Sequence, residues 1–257
     1  MASRSRASSF STQRIATAYT GRGRKSKSSG ITSASKKQMA VINWENVLVP
    51  MNWLTVYLGL RTSTETIQAT VMRCQSSPEL LQSLSTIEDR MMGLLSETMR
   101  VVDGPVFIVS EYTTTYVELI SSLFFPRLTA ALRSTTGGIY VVGTPDTQLS
   151  MQEMKQWKIN LLHTAIHEHL FTGMSINTAM NALARSASGR IKVVALCASD
   201  ADVTATSAIH LMAPNAIIKR LKAQGRGGDY LRSQTLSLDD FYAQLERMAQ
   251  FVWQSAS

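Results

Sequence analysis

The chain has 257 residues, 44% of them hydrophobic, and a formal net charge of +8. That is enough apolar material for one large domain or two small ones, and it excludes a chain too polar to bury a core. No apolar run approaches about eighteen residues, so no membrane span is expected. The charged N-terminus lacks an apolar h-region, so no secretory signal is expected either.

Two widely separated cysteines, Cys74 and Cys197, suggest no disulfide framework and fit a reducing, intracellular compartment. The charge is unevenly spread. Arg4, Arg6, Arg14, Arg22, Arg24, Lys25, Lys27, Lys36 and Lys37 precede the first acidic residue, Glu45. These nine cations account for the whole excess, and the remainder is close to neutral. Residues 1–38 are rich in Ser, Thr, Arg and Gly and poor in large apolar groups. Such a segment cannot offset its ordering entropy and is expected to be a disordered basic arm on a single α/β domain over 39–257.

The body opens on a dense apolar stretch over 41–58, broken by Pro50. Leu80, Leu81, Leu84, Ile87, Met91, Leu94, Leu95 and Met99 then recur at helical spacing. They predict a helix over 78–101, with Pro78 in its first turn behind Ser76 and Ser77. Three segments share one form: GPVFIVS (104–110), GGIYVVG (137–143) and GRIKVVA (189–195). Each is glycine followed by a short β-branched run, the pattern of a buried strand. A helix divided or bent at Pro126 is expected between the first two. Helices over 151–171 and 176–186 are expected between the second and third. AIHLM (208–212) reads as a short fourth strand, and a helix over 238–254 follows Ser237. The alternation predicts a mainly parallel sheet of three to four strands flanked by helices.

HTAIHEH (163–169) invites a metal reading, but helical phase argues against it. The helix begins with the capping box Ser150-Met151-Gln152-Glu153. Continued at 100° per residue, it puts His163 and His167 on the polar face and His169 in the apolar arc. With no third ligand on the polar face, no metal centre is expected there.

Ligands of open α/β sheets bind beyond the carboxyl ends of the strands. Three such ends carry Glu111, Asp146, and the pair Asp200 and Asp202, each among hydroxyls. These carboxylates are the candidate catalytic residues. They could hold Mg²⁺ if the strands are neighbours, and no other cofactor is expected. The competing reading is that Ser, Thr and Asp there simply cap helices and form turns. No glycine-rich phosphate loop is present. Ser110 and Cys197 have no local partner that would make either a nucleophile.

A second basic tract, 219–232, brings Lys219, Arg220, Lys222, Arg226 and Arg232 together around a GRGG turn. Arginine, glycine and aromatic residues in such a tract suit phosphate contact and base stacking, with a solvated loop as the bland alternative. The leading expectation is a non-enzymatic RNA- or DNA-binding structural protein, nucleocapsid-type or ribosome-associated, whose arm neutralises phosphates. An Arg- and Ser-rich, acid-free N-terminus also describes a transit peptide. The alternative is therefore an organelle-imported α/β enzyme for a phosphorylated or metal-bound small substrate. A third reading is a self-assembling homo-oligomer that uses 41–58 and its methionines as contact surface.

Overall fold

A computed structural model describes residues 37–134, 138–170, 191–223 and 237–256. The cations from Arg4 to Lys36, the helix expected over 176–186, and Arg226 and Arg232 lie outside the described residues. Five strands form one all-parallel sheet: β1 (Lys37–Asn43), β2 (Val106–Thr113), β3 (Ile139–Thr144), β4 (Ile191–Cys197) and β5 (Ile217–Lys222). The order across the sheet is β3-β2-β1-β4-β5. The α/β class and the parallel sheet agree with expectation, with one strand more than the upper count.

Eight helices join them among the described residues. They are α1 (Met51–Val56), α2 (Thr64–Gln75), α3 (Pro78–Val101), α4 (Thr114–Phe124), α5 (Pro126–Leu132), α6 (Met151–Ala165), α7 (Asp200–Met212) and α8 (Leu238–Ala256). None is long and apolar enough to cross a membrane.

The strand residues alternate between two cores because successive side chains leave a strand on opposite faces. Ala40, Ile42, Val106, Ile108, Val194 and Leu196 face a core built with α1–α5 and α8. Met39, Val41, Phe107, Val109, Val193 and Ala195 face the other, built with α6 and α7. Each fully buried aliphatic side chain contributes roughly 1.5–3 kcal/mol. The central strands are thus apolar on both faces, as a doubly covered parallel sheet requires.

Local chemistry explains the helix ends. Ser77 caps α3, with Pro78 at its first position. Pro126 divides α4 from α5, and Phe125 at the cap of α5 offers no side-chain acceptor. Glu88 of α3 supplies it instead. Its Oε1 accepts from the amides of Arg127 (2.6 Å) and Leu128 (3.0 Å), and Oε2 accepts from the Arg127 guanidinium at 2.9 Å. A carboxylate at a helix N-terminus also complements the helix dipole.

Four expectations are corrected. AIHLM (208–212) is the last turn and a half of α7, not a strand, because Ser199 caps a helix that runs through it. The basic tract from Lys219 to Lys222 is strand β5, not a loop. Lys37 and Gln38 belong to β1 rather than to the arm. The stretch 41–58 is mostly core rather than exposed surface: Trp44, Val47, Leu48, Val49 and Leu54 are wholly buried, and only Val56 and Tyr57 of its large apolar groups are well exposed.

Candidate functional site at the carboxyl edge

The strand order reverses between β1 and β4. The helices after β1 pack on one face of the sheet and the helix after β4 packs on the other. At such a reversal the connections diverge and leave a crevice beyond the carboxyl ends of the two strands. Here that crevice is filled by side chains of the protein itself.

Lys158 of α6 is at its centre, with its side chain only 2% exposed. Its ammonium donates to Glu111 Oε1 at 2.6 Å and to Asp202 Oδ1 at 2.5 Å. Burial on its own would lower the Lys158 pKa, but the carboxylates of Asp202 and Glu111 outweigh it and hold the group above its ordinary value. Asp202 has a second role. Its Oδ2 accepts from the amides of Ala198 and Ser199, both at 2.8 Å, completing the capping box of α7. One carboxylate therefore fixes both a helix start and the lysine.

Glu45, two residues beyond β1, organises the other half. Its Oε1 accepts from the Ser110 hydroxyl and from the amides of Glu111 (2.7 Å) and Tyr112 (3.3 Å). Its Oε2 is buried with no hydrogen-bond partner among the described residues, as is Asn43 Oδ1. Burial pushes the Glu45 carboxyl up to about 7 and the neighbouring Glu111 adds to the rise, against the hydrogen bond from Ser110. Trp44 packs edge-on to Tyr112, which stacks on Tyr116 of α4 at 4.7 Å. These rings close the same edge on the side of the first core.

Of the carboxylates expected here, Glu111 and Asp202 do converge, held together by Lys158. Asp200 does not. It is exposed at the first turn of α7 and pairs with Lys222 at 2.6 Å, which lowers its pKa. Asp146 lies exposed beyond β3. The Mg²⁺ expectation meets an obstacle, because the Lys158 ammonium already occupies the position between Glu111 and Asp202 where a cation would sit. Among the described residues no group of three His, Cys, Asp or Glu side chains is placed to hold a metal ion. A cavity of about 20 Å³ beside Lys158, lined by Val41, Asn43, Leu161, Cys197 and Thr206, is far smaller than a metabolite. Burial pushes the Cys197 thiol up to about 12, which makes it a packing residue rather than a nucleophile.

The histidines do not divide into a solvated pair and one inward residue: His163, His167 and His169 are all partly buried. α6 ends at Ala165 and continues as a π-helical turn, Ile166–Leu170, so the 100° phase does not extend to His167 or His169. His163 is half-buried, its Nε2 lying 3.3 Å from the carbonyl oxygen of Ala208 in α7. The His169 ring packs against Tyr140 (4.3 Å) and Phe107 (5.1 Å) of the sheet, and burial lowers its pKa.

Lys158 was the residue missed, and its signal was present. On the phase that sets Leu161 at zero it falls at about 60°, in the middle of the apolar arc of α6. A cation there needs buried counter-charges. Glu45 and Asn43 carried a weaker signal, as polar residues inside the apolar stretch that begins the body.

The basic residues are placed as follows. Lys37 donates to the Leu170 carbonyl at 2.5 Å. Lys219 and Arg220 are exposed on β5, where Arg220 reaches the Val203 carbonyl (3.1 Å) and the Ser207 hydroxyl of α7. Lys222 engages Asp200. Two of the three cations of this strand are therefore tied to α7. Comparison of the chain with protein-family models, curated proteins and solved structures finds no match.

Proposed function

We propose that the chain is a nucleic-acid-binding structural protein in which a neutral α/β body carries a basic arm. The observation that carries this reading is the partition of charge, sharpened by the position of β1. Residues 1–36 hold eight cations and no acid, and removing them from the 26 Lys and Arg leaves 18 against 18 Asp and Glu. The excess thus belongs wholly to the segment preceding the sheet. Phe10 and Tyr19 within it offer stacking surfaces for bases. The filled crevice at the strand reversal is a further support, since the protein's own Lys158, Glu111 and Asp202 satisfy one another there.

A salt titration of binding to a single-stranded oligonucleotide tests it. On a single strand each neutralised phosphate contributes about −0.7 to the slope of log K against log salt, so eight cations fully engaged give about −5 to −6. Deleting residues 2–36, and no further because Lys37 opens β1, removes most of that slope. An unchanged slope refutes the reading.

The reversal of strand order favours a second reading, in which the carboxyl edge binds a small polar ligand and the chain is an imported enzyme. It requires Glu111, Lys158 and Asp202 to open toward solvent, and it predicts a mature protein whose intact mass lacks the arm. A phosphorylated compound that raises the melting temperature of wild type, but not of Asp202→Asn, would favour it over the first.

A further inference from the structure

We propose that β3 is the edge through which two copies of this chain join, pairing antiparallel about a two-fold axis at Tyr140 to make one continuous sheet. The sheet has two edges, β3 and β5, and an edge strand turns every second N–H and C=O outward. β5 carries Lys219, Arg220 and Lys222, so pairing it with its own copy would set cation against cation. β3, with the sequence IYVVGT, carries no charge and is rich in β-branched side chains. Every residue from Ile139 to Gly143 is half-buried, whereas Val106–Ser110 of the neighbouring β2 are all buried. Both faces of this edge are apolar. Ile139 and Val141 pack against the first core, Tyr140 and Val142 against the second. A strand added here continues both layers at once.

The main chain sets the register. The Val106 amide donates to the Gly138 carbonyl at 2.9 Å, so that carbonyl faces β2. By alternation the N–H and C=O of Tyr140 and Val142 face β2 as well, and those of Ile139 and Val141 turn outward. Among the described residues no strand lies beyond them. Pairing Ile139 of one copy with Val141 of the other satisfies every one of these outward groups on both strands. Tyr140 then faces its own counterpart across the axis. Counted along the chain, the same register sets Asp146, exposed just beyond β3, opposite Ser134 and next to Arg133, where the other copy's β3 begins. The acidic exit of each strand thus meets the basic entrance of the other, the self-complementarity that a two-fold contact requires. The pairing does not depend on what the arm binds.

Light scattering of the nuclease-treated full chain tests it. A dimer is expected, and a monomer throughout the micromolar range overturns the proposal. Tyr140→Lys sets two cations across the axis and is expected to give a monomer with an unchanged circular dichroism spectrum. A dimer that survives this change uses another surface and overturns the proposal. Tyr140→Cys places two thiols on residues whose Cβ atoms lie about 4.5–5.5 Å apart in such a pair, close to disulfide reach. Mild oxidation is therefore expected to cross-link the dimer, Cys74 and Cys197 being buried, and a dimer that does not cross-link overturns the pairing. Should the Tyr140 variants not fold, the exposed Asp146 serves. Asp146→Arg is expected to raise the dimer Kd at least about threefold, and Arg133→Asp combined with it to return the Kd to near wild type. An equal Kd in Asp146→Arg and wild type overturns the proposal as well.

Discussion

Lys158 turns the crevice into part of the core. A buried ammonium is tolerated only because two carboxylates neutralise it, so removing one side of the arrangement costs more than the arrangement contributes. Lys158→Met leaves Asp202, a residue 9% exposed, and Glu111 without their cation. It is expected to lower stability by about 3 kcal/mol or more in urea denaturation. Adding Asp202→Asn should restore at least about 1 kcal/mol, since Asn can still accept from the Ala198 and Ser199 amides. A single variant as stable as wild type would show that the pair is not buried in solution. Glu45 gives a separate test in pH. Its folded-state pKa, about 7, stands above the ordinary 4.5. Between those values the native state holds a proton that the unfolded chain has released, so stability falls as pH rises through the window. The contribution is complete below about pH 4.5, lost above about 7, and at most about 3 kcal/mol. Denaturation at pH 5 and pH 8 should show this slope in wild type and its loss in Glu45→Gln. Single polar residues inside apolar patterns marked this cluster in the sequence. What they did not disclose was which strands are neighbours, and without that Lys158 had no visible partners.

At the scale of elements, the strands that were legible, β2, β3 and β4, are those in which a glycine precedes a short β-branched run, whereas the central strand β1 was hidden in the apolar stretch that opens the body. GPVFIVS and GGIYVVG also carried glycines whose role the structure explains. A Cβ on Gly104 would lie 1.9 Å from the backbone oxygen of Gln38 in β1. One on Gly143 would lie 2.3 Å from the amide nitrogen of Thr114, where the β2–β3 register shifts. Both neighbours are main-chain atoms, one of β1 and one of the first residue of α4, and cannot rotate away. Gly104→Ala is therefore expected to cost about 3 kcal/mol or more, read as a lowered denaturation midpoint, whereas Gly93→Ala on α3, with open space around it, should be neutral or stabilising. The elements that were not legible failed for physical reasons. β5 is an edge strand, and its Lys219, Arg220 and Lys222 make a poor template for pairing with another chain, so it reads as a solvated tract. AIHLM is an apolar run too short for period alone to assign, and the Ser199 cap decides for helix. The π-turn after Ala165 adds residues per turn that no periodic projection anticipates.

At the scale of the molecule, two orderings meet at β1. It is the central strand of the sheet, and it is also the first element after the cationic segment. Lys37 therefore changes meaning. As a member of the arm it would neutralise a phosphate, but as the first residue of β1 it is registered opposite Ile191 and its ammonium donates to the Leu170 carbonyl at 2.5 Å. Partial burial lowers its pKa, the opposite of what a nearby phosphate would do. The two roles separate in one variant. Lys37→Gln is expected to leave the salt dependence of oligonucleotide binding unchanged while lowering stability by about 1 kcal/mol through the lost hydrogen bond. Lys36→Gln, one residue earlier, is expected to do the reverse, reducing the slope by about 0.7 with no loss of stability. Measured side by side, the pair locates the border between the proposed phosphate-binding segment and the sheet to a single peptide bond. If both variants change the slope equally, β1 is not yet formed where the nucleic acid binds.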